Sequence, residues 1–440
     1  MTKSILEGKT VKIITLGCKV NKYESDAMLL LLQNCGCREA ADDEKADISI
    51  VNTCSVTNIA DHKSRQMLHR MKKENPETVV VAAGCYVQAA AEKLSEDDSI
   101  DILIGNNRKK DVVRILTEYF EGTAPEDNIP DINHDSEFEA LSVSNPVDST
   151  RAYIKIQDGC NLFCTYCIIP YVRGRIRSKS IEDIIAELNT LSENGVREAV
   201  LTGINICSYN DNGRDFLTLL REISKSHHMD RIRLGSLEPR IINDEFISII
   251  KNDPRFCPHF HLSLQSVCDN TLKRMNRHYT VDDIKNAVTL LRENFDRPAL
   301  TADIIAGFAG ETEEDFITTL DNLAELKLYE THVFKYSRRK GTVADKLPDQ
   351  LTEKVKAARS DKLIRLGELN KAAYEQEFLG EPLNILVEEV IEKNGEYFFR
   401  GHTERYMLLD INCKDYLKVD VYPDNLEEYI NTIITTIYNN

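Results

Sequence analysis

Short apolar runs that alternate with helical stretches constrain this chain more than any other feature, and they come in two series. In the first, apolar runs at 11–16, 48–51, 79–83 and 102–104 alternate with helical patterns at 24–34, 60–73, 89–94 and 111–120. In the second, strands are expected near Tyr153, Val200, Ile232, Phe260, Ala302 and His332, with helices near Ile181, Phe216, Asn243, Val281 and Glu313. Such alternation reads as parallel sheets wrapped by helices, so the expected class is α/β. Residues 1–120 form an N-terminal parallel α/β domain in this reading, and the second series, with fewer steps than the eight of a closed barrel, predicts an open partial (β/α)6 barrel over 151–350.

The remaining segments follow from composition. Residues 121–150 are rich in Pro, Asp, Glu, Ser and Asn and lack apolar periodicity until Phe138, so they read as a linker. Residues 351–377 read as one charged helix bridging to 378–440, where short runs at 383–388, 396–400, 407–411 and 417–421 predict a small antiparallel β-barrel.

Cysteines mark the strand ends. The run Cys160-Asn161-Leu162-Phe163-Cys164-Thr165-Tyr166-Cys167 follows the alternating Tyr153-Ile154-Lys155-Ile156-Gln157, with Asp158 and Gly159 making the turn. Three thiolates on one short loop can hold three irons of a cubane cluster and leave the fourth iron open for chemistry. Zinc is the competing reading, but structural zinc sites usually pair two Cys-x-x-Cys knuckles, and no fourth ligand follows here. In the first series Cys18, Cys54 and Cys85 each end a strand, as Leu16-Gly17-Cys18, Asn52-Thr53-Cys54 and Ala83-Gly84-Cys85. A parallel sheet gathers such ends on one edge, where ligands bind, so these three predict a second cluster; small buried residues in tight turns are the plainer alternative. Cys35, Cys37, Cys207, Cys257, Cys268 and Cys413 read as structural.

The chain has 440 residues, 12 cysteines and a net charge of -17. No apolar run approaches a membrane span and residues 1–12 do not read as a signal peptide, so the cytoplasm is the expected compartment, where cysteines serve as ligands or packing rather than disulfides. The acidic balance argues against indiscriminate nucleic-acid binding but leaves room for a local basic groove.

Taken with Leu16-Gly17-Cys18-Lys19-Val20-Asn21, Tyr23-Glu24-Ser25, Asn52-Thr53-Cys54-Ser55-Val56-Thr57, Gly84-Cys85-Tyr86 and Ile168-Ile169-Pro170-Tyr171-Val172-Arg173-Gly174, these features resemble the radical S-adenosylmethionine methylthiotransferases over essentially the full length. The branch acting on threonylcarbamoyl-adenosine at tRNA position 37 is the nearest in pattern. The resemblance implies an N-terminal methylthiotransferase domain, a radical SAM partial barrel and a TRAM-like terminal barrel. It implies that Cys160, Cys164 and Cys167 ligate a 4Fe-4S cluster, and that Cys18, Cys54 and Cys85 ligate an auxiliary cluster of the same kind. Two molecules of S-adenosylmethionine are consumed per turnover in the family scheme, and a reductase and a sulfur donor are implied partners beside the tRNA anticodon stem-loop. By the same comparison, Tyr166, Thr202, Gly203, Asn205, Ser236, Glu238, Gln265, Ile305 and Gly307 match positions around the cosubstrate. Ala309 stands where the family usually has proline, and Val267-Cys268 replaces a Gly-Ser pair.

Arg173, Arg175 and Arg177, with Lys179 beyond them, and Lys335, Arg338 and Arg339 follow two strand ends close to Tyr171 and Tyr336. Cations beside aromatics suit phosphate contact and base stacking in a single-stranded loop, so both groups are expected to meet RNA at the barrel mouth. Residues 378–440, with twelve acids and five bases, are poorly suited to gripping phosphate. Alternatives are a branch acting on isopentenyl-adenosine tRNA or on a ribosomal-protein aspartate, and a metal-cluster RNA-binding module without enzymatic activity.

Overall fold

The computed structural model describes residues 4–41, 43–123, 128–144, 150–226, 229–418 and 426–438. Its first sheet contains β1 (Thr10–Thr15), β2 (Ile48–Thr53), β3 (Val79–Gly84) and β4 (Ile102–Ile104), all parallel and adjacent in that order. The helices between them are α1 (Lys19–Asn34), α2 (Asn58–Glu74) and α3 (Cys85–Leu94), with α4 (Val112–Phe120) after the last strand. One face of the sheet packs on Met28, Leu32, Ile115 and Leu116, and the other on Leu68, Met71, Val87 and Leu94. Cover on both faces buries β2 and β3 at every position, which is why they are short continuous runs rather than alternating ones.

Six further parallel strands follow in chain order: β5 (Arg151–Asp158), β6 (Glu198–Gly203), β7 (Arg231–Leu234), β8 (His259–Gln265), β9 (Ala299–Ala306) and β10 (Glu330–Lys335). Only isolated bridges, Ile232 with Phe256 and Leu237 with Leu262, join the β7 side to the β8 side. The result is the expected open partial barrel. Its outer helices are α5 (Ile181–Glu193), α6 (Phe216–Lys225), α7 (Asp244–Lys251), α8 (Val281–Asn294) and α9 (Glu313–Leu326). Each starts on a side-chain cap from Ser180, Asp215, Asn243, Thr280 or Thr312, and the last two are capping boxes closed by Asp283 and Asp315. Such caps stabilise a helix start by about 1 kcal/mol each.

The segment expected to be a linker has no regular structure over 128–144, yet it is not a free tether. Leu141 and Val143 are buried against Tyr23 and Ala27, and the Tyr23 hydroxyl donates to Leu141 O at 2.6 Å. The rest of that segment, 124–127 and 145–149, lies outside the described residues.

Helix α10 (Glu353–Gln376) carries the chain from the strand-end mouth, where Arg359 binds Glu311, to the strand-start end, where Tyr374 donates to Arg297 O at 2.8 Å. There β11 (Pro382–Lys393), β12 (Glu396–Thr403), β13 (Leu408–Asn412) and β14 (Ile433–Ile437) form a curled antiparallel sheet of order β13-β12-β11-β14. The sheet is antiparallel as expected and is a half-barrel among the described residues. Of the run expected at 417–421, Leu417 ends a short helix, Cys413–Leu417, and the residues after Lys418 lie outside the described ones. The fourth strand among the described residues is β14, which the sparse turn residues around 426–432 do not announce.

Candidate active site

Four strand ends deliver cysteines to one region. After β5 the chain turns through Gly159 at φ +71°, where a Cβ would meet Arg175 O at 1.9 Å, so only glycine fits. Backbone bonds then fix the loop 160–167: Cys160 N–H donates to Gly174 O, Thr165 N–H to Met275 O and Cys167 N–H to Cys164 O, each at 3.0 Å. Asn276 Nδ2 donates to Leu162 O and Phe163 O, both at 3.2 Å. The carbonyls of Leu162, Phe163 and Cys164 are thereby satisfied without the use of a thiol.

Arg277 binds this loop through sulfur. Its Nη1 lies 3.2 Å from Cys164 Sγ, and its Nη2 donates to Glu238 Oε1 at 3.3 Å and Ser263 O at 3.0 Å. Burial pushes the Cys160 thiol up and the Cys167 thiol up to about 12. A thiolate forms in such a place only beside compensating positive charge, which bound iron supplies.

In the second set, Cys18 precedes α1, Cys54 follows β2 and Cys85 opens α3. Burial raises the Cys18 thiol and pushes Cys54 up to about 11. Cys85 Sγ receives Arg173 Nε at 3.3 Å and Asn106 Nδ2 at 3.5 Å. A cavity of about 530 Å³ is walled by Cys18 and Cys54 on one side and by Tyr166 and Cys167 on the other. Among the described residues no three His, Cys, Asp or Glu side chains stand close enough to hold a single metal ion. Thiolates that each meet a different iron of a cubane stand wider apart, and both thiol sets, with donors already placed on Cys85 and Cys164, fit such a group.

Arg173 is the hub between the sets. It is fully buried and binds Glu24 at 2.9 Å, Asp158 at 3.1 Å and Asn21 Oδ1 at 2.7 Å. Lys109 and Lys155 also reach Glu24, each at 2.8 Å. Burial by itself would raise the Glu24 carboxyl, but Arg173, Lys109 and Lys155 outweigh it and hold the group well below the usual carboxylate range.

This corrects part of the expected RNA surface. Arg173 and Arg177 are buried, the latter donating to Arg173 O at 2.8 Å, and Lys179 is buried against Glu187. Arg339 is buried on Ser55 and Asp61, tying the segment after β10 to the region after β2. Nearby carboxylates claim all of these cations, as low-dielectric surroundings require. Arg175 remains exposed over the Phe163 ring at 4.7 Å; Arg338 is exposed beside Asp345, and Lys335 is a half-exposed cavity wall residue 3.6 Å from Glu353. A neighbouring cavity of about 680 Å³ is lined by Arg65, Lys93, Lys340, Tyr86 and Tyr171.

The other matched positions spread around the mouth. Gln265 ends β8 at φ +63°, a conformation uncommon for a residue with a side chain, and lines the cavity with Ile305. Tyr166 packs edge-on against Phe308. Thr202 is buried beside Gly203, Ser236 is exposed, and Asn205 Nδ2 is buried with no partner among the described residues. Gly307 stands at φ +73°, and a Cβ there would lie 2.6 Å from Lys356 Cγ. Cys268 faces Asp315 and Cys207 accepts the Glu238 N–H, both as packing groups. Arg277 and Asn106 were not singled out from the sequence, since neither lies in a recognisable motif.

A six-stranded open barrel with three thiols on the loop after its first strand defines a radical S-adenosylmethionine fold. The Radical SAM superfamily model matches residues 154–323, and the model described as Uncharacterized protein family UPF0004 matches residues 10–105. The fold is similar to the radical S-adenosylmethionine methyltransferase TsrM of Kitasatospora setae, with a TM-score of 0.56 and 16% identity over 74% of this chain and 73% of that one. Among curated proteins, the chain is 37% identical to threonylcarbamoyladenosine tRNA methylthiotransferase MtaB of Bacillus subtilis, over 90% of this chain and 89% of the relative. It is 34% identical to a tRNA-2-methylthio-N(6)-dimethylallyladenosine synthase of Caldicellulosiruptor saccharolyticus, over 93% of this chain and 88% of the relative. The chain belongs to the radical S-adenosylmethionine methylthiotransferase family. Its cofactors are accordingly S-adenosylmethionine and two 4Fe-4S clusters. No helix among the described residues is long and apolar enough to cross a membrane.

Proposed function

We propose that this enzyme adds a methylthio group to carbon 2 of threonylcarbamoyl-adenosine at tRNA position 37. The cavity shared by the two thiol sets carries the proposal, because a base carbon held there lies within reach of both. In this reading Cys160, Cys164 and Cys167 hold one cluster and Cys18, Cys54 and Cys85 the other. With S-adenosylmethionine bound, these groups supply one-electron chemistry able to break an inert C–H bond, and the sulfur to replace the hydrogen.

The chain's own residues hold and enclose. Arg277 fixes Cys164, while Arg173 and Asn106 fix Cys85. Asn205, Ser236, Glu238 and Gln265 give the mouth polar groups for the ribose and amino-acid ends of the cosubstrate, beside Thr202 and Gly203. Tyr166, Ile305 and Tyr336 form apolar walls that exclude water from the reacting carbon.

The anticodon loop enters over the exposed cations Arg175, Lys335 and Arg338 and the neighbouring groove with Arg65, Lys93, Lys340 and Tyr171. A reductase and a sulfur donor act with the enzyme in the cytoplasm. The test is mass analysis of tRNA nucleosides from cells that lack and then regain this gene. Loss and return of 2-methylthio-threonylcarbamoyl-adenosine is the expected result; an unchanged profile, or loss of the dimethylallyl product instead, overturns the substrate.

A further inference from the structure

The space below the cavity continues into the barrel. Strand side chains alternate, so residues two apart on β9 and β10 share the face that Ile305 and Phe334 present to the cavity. Register places Asp303 beside His332, and Thr301 between His261 and Glu330. The acids on this wall have close neighbours: His261 Nε2 is 3.3 Å from Asp303 Oδ2, and Lys371 is 3.3 Å from Glu330.

Lys19 approaches the lumen from the N-terminal side. It is the residue after Cys18 and the first of α1, and its side chain is exposed. Helix α1 packs against β5 and β6 of the barrel, and the charged groups nearest the Lys19 ammonium, Arg233, Arg151, Glu198 and Asp303, are carried by four different barrel strands, so the residue stands at the lumen. Each of these four touches another group: Arg151 contacts Glu198 and Glu388, Arg233 contacts Glu198, and Asp303 contacts the His261 ring. Lys19 has no hydrogen-bond or ion-pair partner among the described residues. Lys19 is thus a cation at the lumen whose ammonium is left without a direct contact.

We propose that this lumen is a carboxylate site in which Lys19 receives the carboxylate of the amino-acid substituent on the substrate adenine, an inference that rests on the substrate reading above. A threonylcarbamoyl group carries a carboxylate and a hydroxyl, whereas a dimethylallyl group carries neither. The apolar group would displace water from the ammonium and return no partner, so the same residue that favours one substrate disfavours the other. Because Cys18 walls the cavity, a base lying against it has Lys19 one residue away on the lumen side. His332 and Thr301 on the facing wall offer polar edges to the hydroxyl.

The test compares reconstituted wild-type enzyme with Lys19→Gln and Lys19→Arg, each checked for iron content and cluster spectra. Binding is measured for anticodon stem-loops carrying threonylcarbamoyl-adenosine, unmodified adenosine or dimethylallyl-adenosine at position 37, and separately for S-adenosylmethionine. The wild type is expected to prefer the threonylcarbamoyl loop over the unmodified one by about tenfold, as a charge-assisted contact implies. Lys19→Gln is expected to lose that preference while keeping its affinity for the unmodified loop, which holds the same phosphates, and Lys19→Arg to retain it. A preference that survives in Lys19→Gln overturns the site and leaves the substrate reading standing. Loss of S-adenosylmethionine affinity with an intact RNA preference also overturns it, by assigning Lys19 to the cosubstrate carboxylate. A wild type without preference overturns the substrate reading and the site together.

Discussion

The two ends of the barrel both bury arginines, and they end those arginines on different atoms. At the strand-start end, Glu198 accepts from Arg233 at 2.8 Å and from Arg151, while Arg231 and Arg233 donate to the carbonyls of Asn384, His402, Thr403 and Glu404. The Tyr406 ring stacks between His259 and His402, with the guanidinium of Arg233 4.7 Å from its centre. At the strand-end mouth, Arg173 and Arg277 instead reach the sulfurs of Cys85 and Cys164. One residue type thus closes a joint at one end, and at the other conditions sulfurs placed to carry negative charge. The comparison also accounts for part of the acidity of residues 378–440. Glu381, Glu388 and Glu404 pair with Arg297, Arg151 and Arg231 of the barrel, so these carboxylates dock the terminal sheet.

If the mouth depends on its hub, the largest effect comes from Arg173→Met, which leaves Glu24 and Asp158 buried without it. Breaking a buried pair from one side costs about 3–5 kcal/mol, so urea unfolding should show a loss in the upper part of that range, with iron bound per chain also falling. At the other end, Glu198→Gln should cost about 3 kcal/mol, since Arg151 and Arg233 keep other partners. Burial opposes the charge on Glu198, but Arg233 and Arg151 lower its carboxyl from 4.5 to about 2. The folded value is depressed, so this stabilisation is complete above about 4.5 and is lost as pH falls towards 2. The variant should lose that part of the acid sensitivity and keep its iron. Iron loss in Glu198→Gln would show that the two ends are not independent.

The same contrast explains what was legible in the chain. The strands and helices of both series were visible because short apolar runs alternate with helical patterns and each outer helix opens on a capping residue such as Thr280 or Thr312. The cysteines were visible because strand ends share an edge. Arg173, Arg177 and Arg339 looked like an RNA surface because a local charge run carries no record of the carboxylates folded against it; Glu24 lies far away in the chain and Asp61 farther still from Arg339. Arg277 escaped for the converse reason, being one arginine among many until the loop 160–167 is folded beside it. The attachment of the terminal sheet at the strand-start end was equally hidden, since it depends on Arg231 and Arg233 meeting main-chain carbonyls, which any residue could supply.

A smaller and more selective effect is expected from Arg277→Gln. A donor to a cluster sulfur favours the reduced, more negative state, so its removal should move the potential of that cluster negative by on the order of 50 mV. Redox titration followed by electron paramagnetic resonance checks this, and the signal of the other cluster should not move. An equal shift in both would mean that Arg277 acts through general packing and not through Cys164.

The smallest effect sharpens the comparison at the surface. Arg175 is exposed over Phe163 beside the cluster loop, and Lys418 is exposed on the terminal sheet side. If RNA is held at the mouth, Arg175→Glu should weaken stem-loop binding a few-fold and reduce the slope of log affinity against log salt by about 1. Lys418→Glu should change neither, because residues 378–440 are net acidic and their ion pairs with the barrel lie at the end opposite the mouth. Equal slopes for wild type and Arg175→Glu, with a reduced slope for Lys418→Glu, would move the RNA to the opposite end and leave the arginine joint there as part of its platform.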